Sequence, residues 1–288
     1  MMHRLALGTV QMGLPYGIAN TVGQVPAAQV CQMLRTARDA GLDTLDTAIA
    51  YGDSESRLGR AGVDGFCIVT KLPEVPLDVD VTSWVMAQIH GSLQRLGVQA
   101  VYAVLLHRPQ QLKDARGQEI ASALQLLKHQ GLTQKTGVSI YGPEDLNGLN
   151  INSLDLVQAP YNLLDQRLFT SGWAQRLVDR GVEIHTRSVF LQGLLLMSVQ
   201  DRPTQFDRWN GVWVQLADWL KSHRLNPLQA CLGFALAQPS ISKVVVGAET
   251  VDQFEQLLAV AQAATPATWP DLQCEDAALI NPSNWCQR

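Results

Sequence analysis

A closed (β/α)8 barrel, the TIM-barrel architecture in a single domain, is the fold class the sequence predicts, and three observations predict it. Eight short apolar runs with strand character alternate with segments of helical periodicity over most of the 288 residues. The second, third and fourth runs stop at a carboxylate, an amine and an imidazole (Asp46, Lys71 and His107), as a parallel sheet does when it delivers chemistry to one rim. No Gly-x-Gly-x-x-Gly joins the first strand to the first helix, which removes the usual signature of an open, doubly wound nucleotide fold.

The elements follow in order. Leu5 to Val10 reads as the first strand, and a Gly/Pro/Asn-rich loop from Gly13 to Asn20 is long enough to line a site. Pro26 to Ala40 reads as a helix with proline in its first turn and Gly41 at its end. The second strand ends at Asp46, a loop carries Tyr51 and Gly52, and a helix starts at Asp53 or Ser54. Cys67 to Lys71 is the third strand. Thr82 is expected to cap a helix whose apolar positions Val85, Ile89, Leu93 and Leu96 recur at helical spacing. The fourth strand, from Val101, stops at His107. A helix from Gln118 to Gln130 precedes a fifth strand, Thr136 to Ile140, and a short helix from Pro143 precedes a sixth, Leu154 to Gln158. Helix Thr170 to Arg180 leads to the seventh strand, Val182 to Ser188. Helices Val212 to His223 and Pro227 to Ala237, the eighth strand Lys243 to Gly247 and a helix from Val251 to Ala263 complete the pattern. The barrel is assigned residues 1–264, and 265–288 an irregular tail packed on it, whose Trp269 and Trp285 either wall a pocket or pin the tail down.

Composition narrows the function classes. A formal charge of −4 with no Lys/Arg block argues against a nucleic-acid partner. The opening residues lack a signal-peptide pattern and no apolar run approaches the ~18 residues of a membrane span, so a soluble, cytoplasmic protein is expected. Five scattered cysteines without a Cys-x-x-Cys pair suggest reduced thiols, mostly in the core, rather than disulfides or a metal site.

Singly, each strand-end residue has an ordinary explanation: a turn-forming Asp, a solvated Lys, a packed Tyr, a hydrogen-bonded His. Together they have chemistry. A buried Lys71 needs a counter-charge, which Asp46 on the neighbouring strand supplies. The ammonium beside Tyr51 is expected to lower the phenol from ~10 toward the range of an acid catalyst. His107 can donate to a carbonyl oxygen. Such a set protonates an oxygen as negative charge develops on it, which is what carbonyl reduction by hydride requires.

The segment Asp46-Thr-Ala-Ile-Ala-Tyr-Gly-Asp-Ser-Glu55 resembles the Asp-Thr-Ala-x-x-Tyr-Gly-x-Ser-Glu signature of the aldo-keto reductase family, and Thr70-Lys71, Leu106-His107, Gly137-Val-Ser139 and Val157-Gln158 follow in that family's order. The resemblance runs from about Leu5 to Leu258. It implies a barrel that binds NADP(H) or NAD(H) without a Rossmann motif and reduces an aldehyde or ketone, with Tyr51 as general acid, Lys71 and Asp46 tuning it, and His107 positioning the carbonyl. By the same resemblance Ser139 and Gln158 hold the nicotinamide carboxamide, with Gly8 and Thr9 beside the cofactor. Arg187 stands where relatives stack an aromatic ring on the nicotinamide and is expected to stack there through its planar guanidinium, its other reading being a rim ion pair with Glu183 or Asp165. Ser188, Phe190, Leu191 and Gly193 line the pyrophosphate. Gly247, Glu249, Thr250 and Gln253 meet the adenosine end, where an acid at Glu249 favours a ribose hydroxyl and Thr250 replaces a basic residue. Ile140 replaces the family's asparagine. Arg202 and Arg208 are candidates for phosphate charge, against ordinary solvated arginines.

The stretch from Leu7 to Asn20 also resembles a bacterial branch linked to surface-sugar pathways, implying a sugar-like carbonyl. The alternatives are a low-turnover NAD(P)H-binding regulatory or sensor subunit on the same fold, and a Schiff-base barrel with Lys71 as nucleophile. No metal is implied, and the oligomeric state is left open.

Overall fold

The computed structural model describes residues 2–263, 266 and 268–285. The boundary between 264 and 265 and the fifth cysteine, Cys286, lie outside them. Eight parallel strands, β1 (Leu5–Gly8), β2 (Thr44–Asp46), β3 (Cys67–Leu72), β4 (Val101–Leu106), β5 (Thr133–Ser139), β6 (Leu156–Pro160), β7 (Glu183–Arg187) and β8 (Lys243–Val246), pair in sequence order and close into a barrel when β8 meets β1. The expected architecture is present.

Helices α1 (Val10–Gly13), α2 (Ala27–Asp39), α3 (Ser54–Ala61), α4 (Val81–Leu96), α5 (Gly117–His129), α6 (Arg167–Thr170), α7 (Trp173–Asp179), α8 (Asn210–His223), α9 (Pro227–Ala237), α10 (Val251–Ala261) and α11 (Ala277–Ile280) surround it. Their apolar stripes, such as Val85, Ile89, Leu93 and Leu96 on α4, are buried with the outward faces of the strands in one continuous core. A smaller core of Val69, Ala103, Leu105 and Leu156 sits apart from it. Lower in the barrel Glu183 is held by Tyr102 Oη (2.8 Å) and Lys135 Nζ (2.6 Å).

Several local expectations are corrected. Val10 leaves the first strand and opens the single-turn α1. Asp80 rather than Thr82 caps α4, accepting from the Ser83 amide at 2.8 Å. The helix expected over 170–180 is two pieces, because Gly172 adopts φ 78 between α6 and α7. The tail contains α11, capped by Asp276. Trp269 stacks on Trp219 with ring centroids 6.0 Å apart, and Trp285 meets Phe206 edge-on at 4.9 Å, so both pin the tail down, and Pro282 and Ser283 border the cavity instead. Cys231 is buried, whereas Cys31, Cys67 and Cys274 are half-buried; all four are free thiols.

Candidate active site

Every strand contributes a residue at or near its C-terminal end: Gly8, Asp46, Lys71, His107, Ser139, Gln158, Arg187 and Gly247 in barrel order. That is the rim where such barrels carry their sites. A cavity of about 830 Å³ opens there, bordered by Gly8, Thr9, Tyr51, His107, Ser139 and Arg187 on one side and by Gly247, Glu249 and Gln253 on the other.

Beneath it, Lys71 Nζ lies 2.7 Å from Asp46 Oδ2 and donates to the Thr47 carbonyl at 3.0 Å. Lys71 is fully buried and Asp46 only 5% exposed, so neither charge has water to fall back on. Burial lowers the Lys71 ammonium, and the Asp46 carboxylate opposes that. The second oxygen of Asp46 accepts from Gln158 Nε2 at 2.6 Å, and Gln158 Oε1 accepts from Ser139 Oγ at 3.4 Å. Each carboxylate oxygen thereby has a side-chain donor.

Tyr51 stands over this pair, with Lys71 Nζ 5.1 Å from its ring centroid and the His107 ring centroid 5.8 Å away. The expected lowering of the phenol is not found. Burial, then the Asp46 charge, push Tyr51 above its ordinary value, and the Arg187 charge pulls the other way. The ammonium is matched by Asp46 at contact distance, so little of its field is left for the phenol. His107 is pushed down to about 3, by burial first and then by the charges of Lys71, Arg187 and Arg108. At neutral pH the site therefore holds a phenol and a neutral imidazole.

Tyr51 owes its place to two glycines and a hydroxyl network. Gly13 and Gly52 pack so closely that a Cβ on Gly13 would collide with the Tyr51 carbonyl oxygen, and one on Gly52, at φ 55, with the Gly13 carbonyl oxygen. Ser54 Oγ bonds the Thr9 carbonyl (2.9 Å) and Thr9 Oγ1 (3.0 Å). Buried Glu55 accepts from Thr70 Oγ1, Ser92 Oγ and Arg95 Nε at 2.7, 2.6 and 2.8 Å, bolting α3 to β3 and α4. Of the signature segment, Asp46 and Tyr51 face the chemistry while Thr47, Ser54 and Glu55 fasten the frame.

The remaining expected residues divide. Ser139, Ser188, Phe190 and Gly193 border the cavity, as do Gly247, Glu249 and Gln253. Gln158, Leu191 and Thr250 do not reach the wall. Gln158 is fully buried and braces Asp46, Leu191 is core, and Thr250 caps α10 by accepting from the Gln253 amide. Arg187 makes no ion pair with Glu183 or Asp165, which belong to Lys135 and Arg167. Its Nη2 donates to the Ile140 carbonyl at 2.8 Å, and its guanidinium lies 4.8 Å from the Tyr141 ring centroid. Arg202 and Arg208 rest on Trp213 and Trp209, 4.2 and 3.9 Å from the ring centroids, and neither borders the cavity. Sequence reasoning missed Gln11, Tyr16 and Tyr141 in the wall. Tyr16 lay within a loop already read as long enough to line a site, while Gln11 and Tyr141 carried no motif. Among the described residues no cluster of His, Cys, Asp and Glu could hold a metal ion.

The cavity has room for a dinucleotide: its volume lies within the ~300–1,000 Å³ of ligand sites, and both Tyr51 and Glu249 line it. Its wall also includes Gln192 and Gly193, which continue from the core residue Leu191 a run of left-handed backbone (φ 49, 55 and 89 in chain order).

The Aldo/keto reductase family model matches residues 4–268. An aldo-keto reductase of Mycolicibacterium smegmatis is 30% identical over 177 residues, covering 58% of this chain and 59% of that protein. One of Mycolicibacterium vanbaalenii is 34% identical over 136 residues, covering 44% and 46%. The chain thus spans about half the length of the curated relatives it matches. In fold it is similar to the solved aldo-keto reductase of Bacillus halodurans in its holo form, with a TM-score of 0.72 and 20% identity over 92% of this chain and 88% of that one. With the family model running through all eight strands of the closed barrel, the chain belongs to the aldo/keto reductase family.

Proposed function

We propose that the protein reduces an aldehyde or ketone to an alcohol with NADPH or NADH, Tyr51 being the general acid. The observation that carries this is the convergence of Tyr51, His107 and the buried Lys71–Asp46 pair on one cavity with the volume of a cofactor site. When bound, the reduced nicotinamide supplies a hydride to the carbonyl carbon. The chain's own residues manage the oxygen. Neutral His107 donates a ring N–H to the carbonyl oxygen and orients it. As the C=O bond becomes a C–O bond, Tyr51 gives its proton to that oxygen, so hydride and proton together make the alcohol.

In this proposal Gly8, Thr9, Ser139, Ser188, Phe190, Gly193, Gly247, Glu249 and Gln253 meet the cofactor, and Gln158, Leu191 and Thr250 support them from behind. A sugar-like carbonyl is its finer form, motivated by the opening segment alone. The proposal includes a cytoplasmic setting, supported by the free thiols Cys31, Cys67, Cys231 and Cys274. Among the described residues no helix is long and apolar enough to cross a membrane.

The test is to titrate the protein with each reduced cofactor by fluorescence and then add a reactive aromatic aldehyde. Saturable binding followed by oxidation of the cofactor and formation of the alcohol supports the enzyme. Tight binding with no turnover of any carbonyl supports the sensor alternative instead.

A further inference from the structure

Arg187 is a cation without a counter-charge in the wall of the catalytic cavity. It ends β7 and borders the space shared by Tyr51, His107, Tyr16 and Tyr141. Among the described residues no Asp or Glu lies within 4.0 Å of it, and its Asp46-bound neighbour Lys71 is already neutralised. An arginine keeps its charge at any working pH. Its charge bears on the catalytic groups, adding to the lowering that burial imposes on His107 and Lys71 and opposing the rise that burial imposes on Tyr51.

The side chain is also held in one pose. Nη2 donates to the Ile140 carbonyl (2.8 Å), Nη1 to Ser188 Oγ (3.1 Å), and the plane is supported by Tyr141 (4.8 Å). These contacts use part of the fork and leave its other N–H groups for a ligand. A fixed, half-buried guanidinium matches the paired oxygens of a carboxylate or phosphate. The dinucleotide is the weaker claimant. Its nicotinamide becomes positive on losing hydride, which a neighbouring cation opposes.

We propose that Arg187 anchors a negatively charged group on the substrate, so that the pocket selects carbonyl compounds bearing a carboxylate or phosphate within reach of the reacting carbon. This rests on the reductase reading above. The structure distinguishes the charge and not its bearer, so the test has two arms. In one, kcat/KM is compared for 4-carboxybenzaldehyde and its methyl ester; in the other, for glyceraldehyde 3-phosphate and glyceraldehyde.

In at least one arm the unaltered protein should prefer the anion by about tenfold or more, the range of a hydrogen bond to a charged group. That ratio should collapse toward unity in Arg187→Met and recover in part in Arg187→Lys, with the change in KM rather than kcat. Using the ratio within each variant cancels any general loss of folded protein or of cofactor affinity. Preference for the neutral member in both arms overturns the proposal without any variant. So does a preference that survives Arg187→Met, or a variant that loses both members equally together with cofactor affinity, which would assign the residue to the cofactor. Turnover of the neutral members keeps the reductase reading intact in each of those cases. A protein inert toward all four compounds ends both.

Discussion

Replacing Lys71 by methionine strands the Asp46 carboxylate in the barrel. The pair is 2.7 Å apart, with side chains 1% and 7% exposed, so the substitution leaves a negative charge whose remaining side-chain donor is Gln158 at 2.6 Å. Removing one partner of a buried pair costs about 3–5 kcal/mol, whereas replacing both by uncharged groups of similar volume is close to neutral. Lys71→Met alone should therefore lose on the order of 3 kcal/mol of unfolding free energy at neutral pH. The double variant Asp46→Asn/Lys71→Met should lie within about 1 kcal/mol of the parent, giving a coupling of ~2 kcal/mol or more. The loss in the single variant should shrink in acid, where the stranded carboxyl takes up a proton. Urea unfolding followed by circular dichroism at two pH values measures all four corners of the cycle. A single variant within about 1 kcal/mol of the parent, or additive effects in the double, would refute the buried-pair reasoning.

Three further predictions can be checked together. With His107 held down at about 3, the pH profile of kcat/KM should show no inflection between pH 5 and pH 8 attributable to an imidazole; an acid limb near the ordinary histidine value of 6.5 that disappears in His107→Gln contradicts a neutral, buried ring. Burial would raise Glu183, but Lys135 and Tyr102 at contact distance, with the His185 ring 3.6 Å away, hold its carboxyl at about 2, against an ordinary 4.5. A depressed carboxyl contributes stability above the unfolded value and loses it as pH falls through the folded one. Stability should thus drop between pH 4.5 and 2, and Glu183→Gln should cost about 2 kcal/mol at neutral pH while flattening that drop, measured by urea unfolding across the window. Glu249, whose carboxyl burial pushes up, is accompanied in the cavity wall by Gln253 and Gln256, and among the described residues the wall's one Lys or Arg is Arg187, at the catalytic groups. NADH should accordingly bind more tightly than NADPH, and Glu249→Arg should shift the ratio of their dissociation constants about tenfold toward NADPH; an unchanged ratio removes Glu249 from that contact.

The barrel was legible because its punctuation is local. Gly41, Gly131 and Gly181 follow helices, short apolar runs follow them, and the polar residue that ends each run marks the rim. The Lys71–Asp46 pairing was legible too, since adjacent parallel strands end side by side. What escaped depends on packing between distant segments. Gln158 reads as a rim residue, yet its amide goes to Asp46, 112 positions earlier, and buries it below the cavity wall. The direction of the Tyr51 shift escaped because it is decided by burial, which no spacing reveals. For Arg202 and Arg208 the choice between phosphate charge and ordinary solvated arginines missed a third place, against the faces of Trp213 and Trp209. Asp80 and Thr82 are both good caps two residues apart, and the choice falls to the one whose oxygen meets the Ser83 amide.

The most direct measurement is single-turnover oxidation of bound reduced cofactor by an aldehyde in Tyr51→Phe. The hydroxyl proposed to donate the proton is removed while the ring that packs beside His107 is kept. The rate should fall by about 10²-fold or more, with the cofactor dissociation constant within about threefold of the parent. A Tyr51→Phe protein that oxidises its cofactor at the parent rate would mean that the proton comes from elsewhere.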